Sequence, residues 1–198
     1  MGAVLCGGQS KRFGSDKAVT ELLSGRLLAQ APIDALRLAG IDPVVAVGGN
    51  FSAQLGVPTI ADRWAGQGPL AGLATALLYA TQSHVVATPC DVPLLRAEHV
   101  SLLTEACLAD PAGDVAVVAE VNGQVEPSLG VWPSSWGRPL ITEIRSGRLR
   151  LRHVLNVGPF RTVTVPAEAI GDADTPEELE ALINKDYKPT QSRSAEFE

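Results

Sequence analysis

Ala3-Val4-Leu5-Cys6-Gly7-Gly8-Gln9-Ser10-Lys11-Arg12-Phe13-Gly14-Ser15-Asp16-Lys17 decides how the rest of this chain reads. Four apolar residues give a buried-strand signal, and a loop with three glycines and three cations follows at once. Glycine lets the backbone approach a ligand closely, and amides beside Lys and Arg bind phosphate oxygens. The spacing departs from G-x-x-x-x-G-K-[ST], because Asp16 precedes Lys17 and no hydroxyl follows it, and it departs equally from G-x-G-x-x-G. It is a phosphate loop of another kind. Gly7 and Gly8 would let the backbone wrap a triphosphate while Arg12 and Lys17 neutralise its oxygens. Lys11 is the weakest of the three cations and reads as exposed.

Working outward, strand and helix signals alternate. An apolar strand over residues 2–6 is followed by a helical pattern over 26–39, stopped by Gly40 and either kinked by Pro32 or confined to its later part. Residues 43–47 and 57–61 read as extended, and Gly68-Pro69 opens an Ala/Leu-rich helix to about Thr81. A strand over 84–88, a helix over 97–109 and a strand over 114–120 complete a series that predicts an open α/β sheet. Asn122-Gly123 signals a hairpin adding a strand over 124–132, followed by helices near 134–145 and 149–155 and a strand over 160–165. Thr175-Pro176-Glu177-Glu178 starts a last helix, with Thr175 as N-cap and Glu178 completing a capping box. The expected fold is thus a three-layer, Rossmann-like, mostly parallel sheet with an added antiparallel strand. One domain over 1–184 and a polar, mobile tail over 185–198, vector-derived in part, are expected.

Composition agrees and excludes some classes. A chain of 198 residues can bury one good core. Its formal net charge of −6 argues against a protein that coats nucleic acid. An anionic substrate must therefore be met by local cations or by a metal. Three cysteines without a C-x-x-C pair point to reduced thiols rather than zinc or redox work. With no leader-like start and no apolar run of membrane-spanning length, a soluble, cytoplasmic protein is expected.

In an open parallel sheet, ligands sit beyond the carboxyl ends of the strands. Four polar features fall there: loop 7–17, Asn50, Asp62 and Asp91. Asp91 ends a strand with no other charge in it. It is either a turn former or a ligand for Mg²⁺, which takes one or two carboxylates plus substrate phosphates. Asp172 and Asp174 are candidates for a second carboxylate, and either could instead cap the last helix. Trp64 could cover a base or pterin ring or simply pack. His84, His99 and His153 have no metal spacing. Arg145, Arg148, Arg150 and Arg152 lie within eight residues of an acidic chain. They form either a solvated helix face or a dock for an anionic second substrate.

Leu5 to Lys17 resembles the L-A-G-G-x-S-x-R-M-G-x-D-K signature of molybdenum cofactor guanylyltransferases, nucleotidyltransferases with a Rossmann-like sheet. Gly68-Pro69-Leu70-Ala71-Gly72, Pro89-Cys90-Asp91-Val92-Pro93, Glu126-Pro127-Ser128-Leu129-Gly130-Val131 and Asp174-Thr175-Pro176-Glu177-Glu178-Leu179 are similar to that family's later motifs, in order. The resemblance implies transfer of GMP from GTP to the phosphate of molybdopterin cofactor with Mg²⁺, releasing pyrophosphate. A molybdoenzyme or delivery protein would be a further partner. By motif match, Leu5, Cys6, Gly7, Lys17 and Asp62 would contact the nucleotide and Asp91 would hold Mg²⁺; read with the residues themselves, Gly8 and Asp91 join the nucleotide contacts, Asp174 joins Asp91 on the metal, and Arg12, Lys17 and Asp91 are expected in catalysis. Cys6 and Phe13 stand where the family usually has Ala and Met, and Gly48 where it tends to have Asn. A cytidylyl- or sugar-phosphate nucleotidyltransferase and a non-catalytic nucleotide-binding regulator are the alternatives.

Overall fold

The computed structural model describes residues 1–7, 17–22, 25–109 and 114–171. The segments expected to form the last helix and the tail, and residues 8–16 of the expected phosphate loop, lie outside them. The described chain runs β1 (Gly2–Leu5), α1 (Gln30–Leu38), β2 (Val44–Val47), α2 (Ser52–Leu55), β3 (Thr59–Ile60), α3 (Pro69–Tyr79), β4 (His84–Pro89), α4 (Ala97–Leu108), β5 (Ala116–Val121), β6 (Gln124–Pro133), α5 (Gly137–Arg145) and β7 (Phe160–Thr164). Single 3₁₀ turns cover Lys17–Val19, Ser134–Trp136, Leu151–Asn156 and Ala167–Ile170.

These strands form one seven-stranded sheet in the order β3-β2-β1-β4-β6-β5-β7. β1 pairs in parallel with both β2 and β4, so the chain moves outward from β1 to β3 and then returns to the other side of β1. That reversal is a topological switch point, where a crevice opens beyond the strand ends. Both faces of the sheet are covered. Val4, Ala46, Val86 and Val117 face a cluster shared with Ile33 and Leu36 of α1 and Leu103 of α4. Leu5, Val47, Ala87 and Trp132 face a second cluster with Leu70, Leu73 and Leu77 of α3 and Leu140 of α5. Strands buried on both faces need continuous apolar runs, which is why Ala3–Leu5, Val44–Val47 and Val85–Ala87 carry no charge. Three layers result, as expected.

One local reading changes. The helix expected over 26–39 begins only at Gln30, because Leu22 N–H donates to Arg26 O and Leu28 N–H to Thr20 O, closing a small antiparallel ribbon first. Pro32 therefore falls in the first turn, where its missing N–H breaks no helical bond. The added antiparallel strand is present as expected, and it lies inside the sheet. β6 inserts between β4 and β5 and is antiparallel to both. Asn122 (φ 50°) and Gly123 (φ 75°) make the tight turn that reverses the chain. The β5–β6 register then shifts between Val118 and Ala119, which pair with Gly130 and Glu126, and Pro127 falls inside that irregularity. A residue without an N–H is tolerated there because the ladder is already interrupted.

Candidate active site

The carboxyl ends of β1 and β4 lie side by side at the switch point: Leu5 pairs with Pro89, and Cys90 N–H donates to Leu5 O at 3.2 Å. Everything attached just past those ends converges. Lys17 Nζ lies 2.7 Å from Asp91 Oδ2, although the two are 74 positions apart. Their side chains are only 13% and 24% exposed, so the pair is partly screened from water. A crevice of about 210 Å³ opens beside them, lined by Leu5, Cys6, Gly7, Lys17, Cys90 and Asp91 together with Pro69, Pro89, Ser128 and Leu151.

Gly7 is held by its neighbours. Cys6 N–H donates to Val47 O at 2.8 Å, tying the loop start to the end of β2. Gly48 has φ +89°, and a Cβ there would stand 3.0 Å from both the N and the Cα of Gly7. Glycine at 48 is therefore required twice over, by its backbone angle and by the closeness of the next loop. Asp62 approaches from the other side. Its Oδ1 accepts from Trp64 N–H (3.0 Å) and from Thr75 Oγ1 (3.0 Å), while Thr75 Oγ1 accepts from Arg63 N–H at 3.1 Å. One carboxylate oxygen is thus spent on position. The other, Oδ2, faces Gly7, 3.6 Å from where a Cβ on that glycine would lie.

Cys6 and Cys90 are buried under the crevice floor. The Cys90 thiol is pushed well up, first by its hydrogen bond with Cys6 and then by burial, so it remains a neutral lining group. Ser128 reaches the crevice because β6 runs antiparallel to β4 with Gly130 opposite Ala87, which brings the residues just before Gly130 alongside the end of β4. Its Oγ donates to Glu126 Oε1 at 2.6 Å.

Among the described residues no group of three or more His, Cys, Asp and Glu side chains could by itself hold a metal. Asp91 is the carboxylate present at the crevice mouth beside Lys17, and one carboxylate with substrate phosphates is a donor set that fits Mg²⁺. Gly8, Arg12, Asp172 and Asp174 lie outside the described residues. Asn50 is exposed and does not line the crevice. Trp64 is partly buried against the α3 cluster, which is packing. His99 is buried and receives the Arg96 N–H on Nδ1 at 3.3 Å, which is helix capping. Ser128, Pro69 and Leu151 were not singled out from the sequence as lining residues. Leu151 has no polar signature, and Ser128 reaches the site through the pairing of β6 with β4, which a linear pattern does not display.

A larger open groove of about 570 Å³ runs between α1 and residues 93–98. Its cations are already committed, Arg26 to Asp34 at 2.6 Å and Arg96 to Glu98 at 3.5 Å, so it offers a phosphate nothing comparable. No described helix is long and apolar enough to cross a membrane.

Residues 2–163 match the model of the MobA-like NTP transferase domain. A probable molybdenum cofactor guanylyltransferase of Opitutus terrae is 36% identical over 176 residues, covering 84% of this chain and 85% of that protein. A second, from Carboxydothermus hydrogenoformans, is 36% identical over 133 residues, covering 67% of this chain and 65% of its own length. Among solved structures, molybdopterin-guanine dinucleotide biosynthesis protein A of Archaeoglobus fulgidus superposes with a TM-score of 0.72 at 22% identity, covering 93% of this chain and 97% of that one, which is a likeness of fold.

Proposed function

Because the chain belongs to the MobA-like NTP transferase family, together with molybdenum cofactor guanylyltransferases, we propose that it transfers GMP from GTP to the phosphate of molybdopterin cofactor. The observation that carries this reading is the convergence of Lys17 and Asp91 at the switch point, beside the Gly7 backbone.

In the reaction, an oxygen of the acceptor's phosphate forms a bond to the α-phosphorus of GTP. The bond from that phosphorus to the β-phosphate oxygen breaks, and pyrophosphate leaves. The attacking group is already an anion at neutral pH, so no strong general base is needed. Catalysis consists of holding two anions in line and offsetting the charge that grows on the leaving group. Lys17, and Arg12 further back in the same loop sequence, would take the pyrophosphate. Gly7 and Gly8 would offer backbone N–H groups to the phosphates. Asp91 would hold Mg²⁺, with Asp174 as the second carboxylate, and the ion when bound would supply positive charge to the phosphates. Without nucleotide, Lys17 and Asp91 neutralise each other. With it, Lys17 would exchange that contact for a phosphate, and the Asp91 carboxylate would be left to the metal. Asp62 Oδ2, an acceptor held open beside Gly7, is chemically suited to the two N–H donors on the edge of guanine. Reduced Cys6 and Cys90 suit the cytoplasm, and a molybdoenzyme or delivery protein would receive the product.

Labelling molybdopterin cofactor with GTP and CTP in competition, with Mg²⁺, tests the reading. GMP transfer is expected, and transfer of CMP instead would move the chain to a cytidylyltransferase. Asp91→Asn should abolish pyrophosphate release. Release that survives unchanged in that variant removes the proposed metal site.

A further inference from the structure

Resting on the acceptor chemistry just proposed, we infer that Arg150 and Arg152 bind the acceptor's terminal phosphate at the rim of the crevice. The four arginines of 145–152 are not equivalent. Arg148 is spent on Glu143 through two bonds, Nε to Oε2 at 2.5 Å and Nη2 to Oε1 at 2.8 Å. That pair fixes the turn after α5, where Ser146 Oγ also donates to Glu143 O. Arg145 closes α5, where a cation offsets the partial negative charge of the helix end.

Arg150 and Arg152 remain. They flank Leu151, which lines the same crevice as Lys17, Asp91 and Ser128. Both are exposed, and among the described residues neither has an ion-pair partner. The backbone that carries them is fixed rather than loose. Leu149, Leu151 and Leu155 pack on the α3 and α5 cluster, Val154 is fully buried, and His153 N–H donates to Arg150 O at 2.9 Å. The carbonyl of Leu149 lies 3.5 Å from the position a Cβ on Gly68 would take, so this wall abuts the start of α3.

Electrostatics supplies the need for them. Asp62 and Asp91 stand at the crevice of a chain with net charge −6, and both repel a phosphate dianion. Lys17 and Arg12 are assigned to the leaving pyrophosphate. An acceptor phosphate must therefore meet cations of its own, and guanidinium forks suit phosphate oxygens.

The test is steady-state kinetics of Arg150→Ala, Arg152→Ala and the double variant, beside calorimetric titration with GTP. The acceptor KM should rise ~10-fold in each single variant and more in the double, the scale of a lost charge-assisted bond, while the GTP dissociation constant stays within about two-fold. Added salt should raise the wild-type acceptor KM and affect the double variant less, and Arg150→Lys should recover part of the loss. An unchanged acceptor KM in the double variant overturns the proposal. So does a parallel loss of GTP affinity, since the arginines would then serve nucleotide or fold. A wild-type protein that releases no pyrophosphate from GTP sinks the nucleotidyltransferase reading first, and this one with it.

Discussion

Lys17–Asp91 and Arg148–Glu143 are both short ion pairs, at 2.7 Å and 2.5 Å, yet they sit in regions built on different principles. Arg148–Glu143 is local, five positions apart, and its arginine is 48% exposed. It needs only a turn to form. Lys17–Asp91 is assembled by the sheet itself, from two strands that become neighbours only when the chain reverses about β1. Water screens the first pair strongly, so it contributes little to stability. The second is brought together from positions 74 apart in the chain and is largely shielded from water. Bond length does not separate the two; the distance along the chain and the place in the fold do.

The sharpest break of this contrast is Lys17→Ala. Turnover, read as pyrophosphate release from GTP, should fall at least ~100-fold, the scale of losing one preorganised donor. Near-normal turnover would put the crevice pair on the same footing as the surface pair.

Next in size is the backbone beneath it. Gly48→Ala should cost about 2 kcal/mol in urea unfolding, since it adds left-handed strain to a contact with Gly7, and it should weaken GTP binding. Gly56→Ala is the comparison: its φ is also positive (+64°) but a Cβ there meets nothing within 4 Å. Equal losses in the two variants would show that Gly7 is not held by Gly48.

A smaller effect is expected from pH, away from the crevice. Burial lowers the His99 pKa, outweighing the opposing pull of Glu98. Its Nδ1 must also stay unprotonated to accept the Arg96 N–H. The unfolded chain therefore takes up the proton first as pH falls. The stabilisation is complete above the ordinary histidine value and is lost as pH drops through the lower folded one. Melting curves stepped from pH 8 to pH 5 should show this decline, and His99→Gln should flatten it; an unaltered decline in that variant would move the acid sensitivity elsewhere.

Least of all should follow from Glu143→Gln. The Arg148 guanidinium lowers the Glu143 carboxyl, so the pair acts above the ordinary carboxylate range and fades as pH falls through the folded value. At neutral pH the melting temperature should barely move, and a drop as large as that of Gly48→Ala would mean the turn after α5 holds more of the fold than its exposure implies.

Much of this architecture was legible in the chain. Continuous apolar runs marked β1, β2 and β4, because a strand covered on both faces leaves no room for polar alternation. Gly68-Pro69 marked the start of α3, and Asn122-Gly123 the hairpin. Loop 7–17, Asp62 and Asp91 were legible as candidates because strand ends in such sheets face the ligand. Other features were not readable. The true start of α1 depended on hydrogen bonds between residues 20–22 and 26–28, which a helical pattern through Leu27 and Leu28 concealed. Gly48 looked like a departure from a family pattern, and only the approach of Gly7 shows why a side chain there is excluded.

Sequence alone named the candidate groups, because chemistry belongs to residue types: lysine and arginine for phosphate, aspartate for a hard cation, glycine for close backbone. Tertiary structure decided which of them meet. β6 entered the middle of the sheet and paired with β4, bringing Ser128 alongside the end of β4, and the folding back of the chain after α5 set Leu151 in the same wall. Those placements depend on contacts between segments far apart along the chain, whose free energy is decided by the packing of the whole sheet and is written in no single stretch of it.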